Sequence, residues 1–251
     1  MHAHTPTLND AAHGARGTRW LLVVAAPIEA EAIASALGGQ AVPGYWDLRT
    51  LSDRFDIVVS GVGKANAAGA TAAVLNSRVH RGVVSLGVGG ALLDTSGAPC
   101  ANVLEAVVAT QSLFADEGIE RDDGWSTIAS LGFPPCAGLA GEPETGVQCT
   151  STLVESLRRL AHHVGPIATV STCSATDHSA HAVRARTGAI AEAMEGAAVG
   201  VAARRAWCAQ GGDGPCPFVE VRVMSNLTGS AGGAWQLKAA LERLADLARV
   251  L

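Results

Sequence analysis

The sequence lacks the features that mark several broad classes of protein. Only 16% of its 251 residues are charged, the formal net charge is −5, and no cluster of Lys and Arg stands out. Because nucleic-acid grooves carry basic side chains that neutralise phosphates, such a function is disfavoured. No apolar run reaches the roughly 18 residues that a membrane span needs, and residues 1–18 lack the apolar core of a signal peptide. We therefore expect a protein of the cytoplasm without nucleic-acid or membrane partners.

Paired cysteines are also missing. None of the six Cys residues forms a Cys-x-x-Cys pair, so free thiols are expected rather than a disulfide framework. His178 and His181 have the spacing of two zinc ligands, but no Cys or carboxylate pair at matching spacing accompanies them. Three further His residues fall within residues 1–18, which we predict to be a flexible extension. The sequence thus predicts no metal site.

What the sequence does contain is a regular alternation of short apolar runs and helical segments. Strands are predicted at 21–26, 56–60, 82–86, 103–110, 167–171 and 218–224, and helices at 27–37, 64–75, 150–163, 193–206 and 234–251. This order predicts an α/β fold: a single three-layer domain, residues 19–251, with a central, mostly parallel twisted sheet flanked by helices. Ligands of such sheets bind beyond the carboxyl ends of the strands.

Glycine-rich segments follow two of these strands. Ser60-Gly-Val-Gly-Lys64 resembles part of a phosphate loop but lacks the Walker spacing. Gly87-Val88-Gly89-Gly90 ends the next strand. Glycine lets the backbone approach a ligand closely, but it also simply permits a tight turn. Taken alone, the two segments leave both interpretations open.

Three polar positions are candidates for chemistry. Glu195 follows Met194 at the start of an apolar helix. It either binds two ribose hydroxyls or stabilises the helix through its attraction to the partial positive charge at the helix N-terminus. Asn226 ends a strand, facing either a ligand or its own turn. Glu29 and Glu31 follow the first strand and are either a general base for water or solvated first-turn carboxylates.

These segments occur together in one known superfamily. LLVVAAPIEAEAI (21–33), VVSGVGKANAA (58–68), VVSLGVGGAL (83–92), AMEGAAVG (193–200) and VRVMSNLTG (221–229) resemble, in order and approximate spacing, the purine nucleoside phosphorylase/methylthioadenosine nucleosidase superfamily. ADEGIERDDGW (115–125) followed by LGFP (131–134) is similar to a segment of the futalosine hydrolases. This resemblance implies hydrolysis of futalosine to hypoxanthine and dehypoxanthine futalosine, on the futalosine route to menaquinone. It also implies a homo-oligomer that needs no cofactor.

The resemblance assigns roles to individual residues. Glu195 corresponds to the ligand of the ribose hydroxyls, Met194 to the residue beside the sugar, and Glu29 to the glutamate that positions water, with Glu31 the alternative. The segment 171–175 corresponds to the purine-stacking loop but lacks an aromatic residue. Further substrate-binding candidates by the same comparison are Gly87, Val88, Gly89, Gly90, Ser171, Thr172, Cys173 and Ser225.

Asn226 departs from the pattern of adenine-specific nucleosidases, which have Asp at this place. A 6-oxopurine presents two acceptors, O6 and N7, and an amide NH2 can donate to both, whereas an ionised carboxylate can donate to neither. Asn226 therefore favours hypoxanthine as the leaving base.

The choice between hydrolysis and phosphorolysis depends on cations. Phosphorolysis requires cationic ligands for phosphate, normally Arg, and Lys64 is the only cation in the two glycine-rich segments. Three alternatives stay open: a methylthioadenosine/adenosylhomocysteine nucleosidase, a nucleoside phosphorylase, and a nucleoside-binding protein without activity. Arg49, Arg54 and Arg121 are unranked candidates for binding the benzoate end of futalosine.

Overall fold

The computed structural model describes Leu8, residues 17–39 and residues 42–251. Its strands are β1 (Arg19–Val24), β2 (Leu48–Thr50), β3 (Phe55–Val59), β4 (His80–Ala91), β5 (Ala106–Phe114), β6 (Gly118–Arg121), β7 (Gly124–Thr127), β8 (Gly146–Gln148), β9 (His163–Thr169), β10 (Ala191–Ala193) and β11 (Phe218–Leu227). Its helices are α1 (Pro27–Ala36), α2 (Lys64–Val74), α3 (Ser151–Leu157), α4 (Asp177–Thr187), α5 (Gly196–Ala209) and α6 (Leu237–Val250).

Within the described residues, nine strands form one sheet in the order β10-β9-β5-β11-β4-β1-β3-β2, with β8 beside β5. The strands β3, β1, β4 and β11 are parallel to one another, and so are β5, β9 and β10. The two groups meet in antiparallel pairs, β11 with β5 and β10 with β4. The sheet is therefore mixed and partly closed, and the expectation of a mostly parallel sheet was too simple.

Apolar strands and amphipathic helices build the core. β1 and β3 are buried almost throughout, as expected for strands covered on both faces. In α6 the buried side chains recur every three to four residues, which gives the helix one apolar stripe. Those residues are Ala240, Leu241, Leu244, Leu247 and Ala248.

Several segments differ from the sequence-based expectation. The strand expected at 82–86 continues as β4 to Ala91, so Gly87–Gly90 is extended strand rather than a turn. The helix expected at 150–163 ends at Leu157, and β9 already begins at His163. α4 was not predicted, because its sequence is largely polar and buries only Ala180 and Val183.

The predicted N-terminal extension is described at only three positions, Leu8, Gly17 and Thr18. Leu8 is buried, and its amide donates to the carbonyl of Leu251 over 3.4 Å. Residues 1–7 and 9–16, with His2, His4 and His13, lie outside the described residues, so the flexible extension stays a prediction. No helix of the described part of the chain is long and apolar enough to cross a membrane.

Candidate active site

A cavity of about 540 Å³ opens where β1, β4 and β11 end. Two loops complete its wall: one follows β9 at residues 170–175, and the other follows β11 at residues 229–235. Most of the predicted site residues line this cavity. These are Glu29, Val88, Gly89, Gly90, Cys173, Met194, Glu195, Ser225 and Asn226.

Three predicted residues do not line the cavity. Ser171 and Thr172 are exposed, and the amide of Ser171 donates to Asp116 Oδ2 over 2.6 Å instead. Gly87 lies beneath the cavity wall, where a Cβ would come within 2.5 Å of Glu29 Oε1 and 2.7 Å of Arg222 Nη1. Glycine at 87 is therefore what lets these two charged groups approach the strand.

Glu29 is buried at the start of α1, with 4% of its surface exposed. Its Oε2 accepts hydrogen bonds from the amides of Ala25 and Ala26 at 3.1 and 3.0 Å, and its Oε1 accepts one from Val88 at 2.9 Å. Burial raises the pKa of Glu29, while Arg222 and the amide of Val88 act in the opposite direction. The result is a carboxylate of increased basicity beside a cavity, which suits a general base.

Glu31, the alternative to Glu29, is exposed on the other side of α1. The helical repeat explains the difference. Glu29 lies four residues before Ile33 on the face of α1 that packs against the sheet, whereas a residue two positions further along a helix faces about the opposite way. Of the two carboxylates, only that of Glu29 lies at the cavity.

Glu195 lies immediately before α5 and is 5% exposed. The amide of Gly63 donates to its Oε1 over 3.1 Å, and Arg222 Nη1 lies 3.4 Å from its Oε2. Gly61 and Gly63 have φ values of 91° and 93°, a backbone conformation that favours glycine. Each carboxylate oxygen retains capacity for a further hydrogen bond from a ligand hydroxyl.

Asn226 is held in one orientation by its neighbours. Its Nδ2 donates to the carbonyl of Leu227 over 2.8 Å, and its Oδ1 accepts from Ser225 Oγ over 2.9 Å. Ser225 Oγ also lies 3.2 Å from the carbonyl of Gly89. One of the two amide protons of Asn226 is thus used within the protein. A single N–H remains for a ligand, not the two that the sequence suggested.

Glu192 is a cavity residue that sequence reasoning missed. It is 4% exposed, and its two oxygens accept from the amide and the hydroxyl of Ser174 at 2.7 and 2.6 Å. Burial raises the pKa of Glu192, and the bonds from Ser174 oppose that rise. The two cavity loops are joined directly, because the amide of Gly229 donates to the carbonyl of Ser174 over 2.8 Å. This bond fixes the loops against each other.

Arg222 and Glu220 were also missed, although the sequence carries a signal for them. Alternate residues of a strand share a face, and Glu220-x-Arg222 places two charges on one face of the buried strand β11. Arg222 Nε donates to Glu220 Oε1 over 2.9 Å, and its Nη2 donates to Ser85 Oγ over 2.9 Å. Charges this deeply buried need such partners.

The cavity wall itself is acidic. Among its described lining residues there is no Lys or Arg. Lys64 pairs with Asp116 and with Glu117, the latter at 3.4 Å. No group of three or more His, Cys, Asp or Glu side chains within the described residues could hold a metal ion.

The three arginines considered for the benzoate group lie elsewhere than in the cavity wall. Arg49 pairs with Asp47 at 2.7 Å, Arg54 donates to the carbonyl of Leu251 over 3.0 Å, and Arg121 donates to Ser126 Oγ over 2.6 Å. Within this chain, none of them is placed to bind a ligand in the cavity.

Comparison with known proteins places this geometry in a family. The Phosphorylase superfamily profile matches residues 51–251. The chain is 34% identical to the futalosine hydrolase of Streptomyces coelicolor over 237 residues, which cover 90% of this chain and 92% of that protein. It is 38% identical to the futalosine hydrolase of Acidothermus cellulolyticus over 228 residues, which cover 89% of this chain and 86% of that protein.

A solved structure shares the fold. The 5′-methylthioadenosine/S-adenosylhomocysteine nucleosidase of Neisseria meningitidis, in complex with methylthio-immucillin-A, superposes with a TM-score of 0.67. The match covers 93% of this chain and 98% of that one at 19% identity, so it shows the fold alone. The profile and the two sequence relatives show more: the chain belongs to the Phosphorylase superfamily and, within it, to the futalosine hydrolase family.

Proposed function

We propose that this chain hydrolyses the N-glycosidic bond of futalosine, releasing hypoxanthine and leaving dehypoxanthine futalosine, a step on the futalosine route to menaquinone. The observation that carries the proposal is the combination in one cavity of Asn226 with two buried carboxylates, Glu29 and Glu195. The two relatives above 30% identity are both futalosine hydrolases.

Glu29 is proposed to orient and deprotonate the attacking water. The water oxygen bonds to C1′ while the C1′–N9 bond breaks, and the bonding pair leaves with the purine. The proton of the water passes to Glu29, and the departing base is protonated by solvent. The raised pKa of Glu29 supports this role, because a general base works best when its pKa approaches the operating pH.

Glu195 is proposed to hold the ribose hydroxyls and to stabilise the cation-like ribosyl group by its negative charge. Its position supports this, because it lies beside Met194, which also lines the cavity and is proposed to pack on the sugar. Charge that is already positioned where the transition state develops its own charge costs no reorganisation.

Asn226 is proposed to donate its remaining N–H to the acceptor edge of the 6-oxopurine. Its Oδ1 is engaged by Ser225, so the amide presents a donor to the cavity. A donor stabilises negative charge on the leaving hypoxanthine, and a donor placed at O6 is mismatched with the 6-amino group of a 6-aminopurine, which also donates.

Water rather than phosphate is proposed as the nucleophile. A phosphate would enter a cavity whose described charged lining residues are Glu29, Glu192 and Glu195. Arg222 does not line the cavity, and its guanidinium already pairs with Glu220 and Glu195. Hydrolysis of this kind needs neither a metal nor an organic cofactor.

Three wider features remain part of the proposal. Residues 19–251 are proposed to act as the nucleosidase domain, in the cytoplasm and as a homo-oligomer. Ile28, Val62 and Trp235 line the cavity yet remain 46%, 53% and 56% exposed. Exposed apolar side chains at a site support a contact of that site either with an apolar part of the substrate or with a second copy of this chain.

The test is release of free purine from futalosine, inosine and methylthioadenosine, each with and without phosphate, followed by chromatography. We expect hypoxanthine from futalosine at a rate independent of phosphate. Release of adenine from methylthioadenosine would instead indicate a methylthioadenosine/adenosylhomocysteine nucleosidase. Release of hypoxanthine only in the presence of phosphate would indicate a nucleoside phosphorylase. Tight nucleoside binding without base release would indicate a binding protein.

Asn226→Asp tests the basis of the purine preference. We expect about 10²-fold or more loss of kcat/KM on futalosine, because an ionised carboxylate offers no proton to the 6-oxopurine. The relative rate on 6-aminopurine nucleosides should rise. Asn226→Ser is the comparison, since it removes the amide without adding charge. Unchanged turnover of futalosine by Asn226→Asp would contradict the role given to Asn226.

A further inference from the structure

Glu220 is a charged residue in the middle of β11 for which the mechanism above has no use. It is fully buried and does not line the cavity. Its Oε2 accepts from Ser112 Oγ over 2.5 Å, and its Oε1 accepts from Arg222 Nε over 2.9 Å. Both oxygens are thus occupied, one by a neutral donor and one by a guanidinium.

The fold keeps space for this carboxylate. A Cβ at Gly196, the first residue of α5, would come within 1.9 Å of Glu220 Oε2. Any larger residue at 196 would displace Glu220 or the start of the helix. Burying a carboxylate costs free energy unless its partners compensate, so this arrangement requires a stabilising contact, and Arg222 supplies it.

Arg222 connects Glu220 to the cavity. Nε faces Glu220, Nη2 faces Ser85, and Nη1 lies 3.4 Å from Glu195 Oε2. A Cβ on Gly87 would come within 2.7 Å of Arg222 Nη1 and 2.5 Å of Glu29 Oε1, so both charged atoms lie close to Gly87. The guanidinium therefore has one edge on Glu220 and the other toward the two carboxylates assigned to catalysis.

We propose that Glu220 is a positioning residue that fixes the Arg222 guanidinium beside Glu29 and Glu195 and limits the positive charge that Arg222 presents to them. The inference rests on the proposed function, in which Glu29 accepts the proton of water. Without Glu220, the full charge of Arg222 would act on Glu29 and Glu195. Glu29 would become a weaker base, and less of the negative charge of Glu195 would remain to stabilise the ribosyl cation.

The electrostatics of the cluster support this arrangement. Burial lowers the pKa of Arg222, but Glu220, Glu195 and Glu29 together raise it above its usual range. Burial raises the pKa of Glu220, and Arg222 opposes that rise. The neighbouring thiol of Cys149 stays neutral, because burial raises its pKa to about 12. Among the charged groups, Arg222 and Glu195 have the largest effects on the pKa of Glu29.

Glu220→Gln separates charge from shape. The amide oxygen of Gln can still accept from Arg222 Nε, but the negative charge is gone. Activity requires ionised Glu29, so it falls as the pH drops below the pKa of Glu29. A lower pKa extends activity to lower pH, and we expect the acid limb of the kcat/KM profile to move down by about half to one pH unit. We also expect kcat to fall about tenfold, with KM changed less than about twofold.

Glu142→Gln is the matched control. Glu142 and Arg204 form another buried Glu–Arg pair, at 2.5 Å, and neither residue lines the cavity. This variant should lose stability without moving the acid limb. Ser112→Ala is a second test: it leaves the carboxyl group of Glu220 in place but removes a hydrogen bond that lowers its pKa, so part of the negative charge is lost at acid pH. It should move the limb in the same direction by less, and it tests the proposal even if Glu220→Gln does not fold.

A measurement without turnover separates this inference from the proposed function. The side-chain carboxyl of Glu29 is followed by 13C NMR as pH is varied, with its resonance assigned from Glu29→Gln. A lower titration midpoint in Glu220→Gln than in the unmodified protein is the expected result. Identical Glu29 titrations in both, and in Ser112→Ala, would overturn the role of Glu220. Failure of the unmodified protein to release hypoxanthine would instead overturn the proposed function and leave the titration result standing.

Discussion

The central strands of the sheet carry two buried clusters of charged side chains, one at each end. At the amino end, Arg19 Nε and His80 Nε2 both contact Asp56 Oδ2, at 2.9 and 3.1 Å. At the carboxyl end, Arg222 is surrounded by three carboxylates, those of Glu29, Glu195 and Glu220. The strands β1, β3 and β4 supply the first cluster, whereas β11 and the segments at the starts of α1 and α5 supply the second. In both clusters the carboxylates are less than about a tenth exposed.

The clusters differ in charge balance and in access. At the amino end one carboxylate faces one guanidinium and a neutral imidazole. At the carboxyl end three carboxylates share one guanidinium, and two of them line the cavity. Charge in excess of its partners is costly to bury. Burial alone therefore does not distinguish a site; unbalanced charge beside a cavity does.

The largest effect should come from the carboxyl-end cluster. Glu29→Gln removes the proposed base, and we expect kcat to fall by about 10²–10⁴-fold on futalosine. Glu31→Gln is the matched control on the same helix, because Glu31 is exposed and away from the cavity. It should retain kcat within about twofold of the unmodified protein. Equal kcat for the two variants would show that Glu29 is not the base and that the excess charge has another purpose.

Two glycines of β4 allow the two ends to be compared within one strand. A methyl group at Gly87 would press on Glu29 Oε1 and Arg222 Nη1, whereas one at Gly82 would press on Trp20 and the carbonyl of Pro217. We expect Gly87→Ala to lower kcat/KM by about 10- to 100-fold, because small displacements of catalytic groups are costly. Gly82→Ala should mainly lower the free energy of unfolding, by about 1–3 kcal/mol.

Urea unfolding and steady-state kinetics on both glycine variants separate an effect on stability from an effect on catalysis, with activity expressed per folded molecule. Gly82→Ala should then keep kcat/KM within about twofold. If both variants lost stability but neither lost activity per folded molecule, the close approach of Glu29 to Gly87 would be a matter of packing alone.

Several of these features were accessible from the sequence. The choice between Glu29 and Glu31 follows from the helical repeat once Ile33 is taken as the buried reference position. Glu220 and Arg222 share a face because strand residues alternate. Both signals are local, and both concern side chains whose direction the backbone alone determines.

Other features depend on contacts that no local pattern encodes. Glu192 meets Ser174, 18 residues earlier, only because β9 and β10 are neighbours. The antiparallel pairing of β10 with β4 at Gly90 likewise depends on closure of the sheet. The sequence left the glycines of residues 87–90 open as either a close approach to a ligand or a tight turn, because glycine permits both. Here they form a strand that charged side chains approach closely.

The smallest effect should come from the amino-end cluster, as a dependence of stability on pH. His80 Nδ1 accepts from the amide of Asn76 over 3.1 Å, so its proton is on Nε2, which donates to Asp56. Burial lowers the pKa of His80, against the opposing effect of Asp56. The unfolded chain therefore takes up a proton near the ordinary pKa of 6.5, while the folded protein still keeps His80 neutral. Stability contributed by His80 is present above that pH and is lost as the pH falls below it, by at most about 1.4 kcal/mol per pH unit.

Gln at position 80 can accept from Asn76 and donate to Asp56 without titrating. Urea unfolding between pH 5 and pH 8 should thus show a shallower loss of stability for His80→Gln than for the unmodified protein. Parallel curves would mean that His80 is protonated in the folded state, and that the amino-end cluster carries more positive charge than its hydrogen bonds indicate.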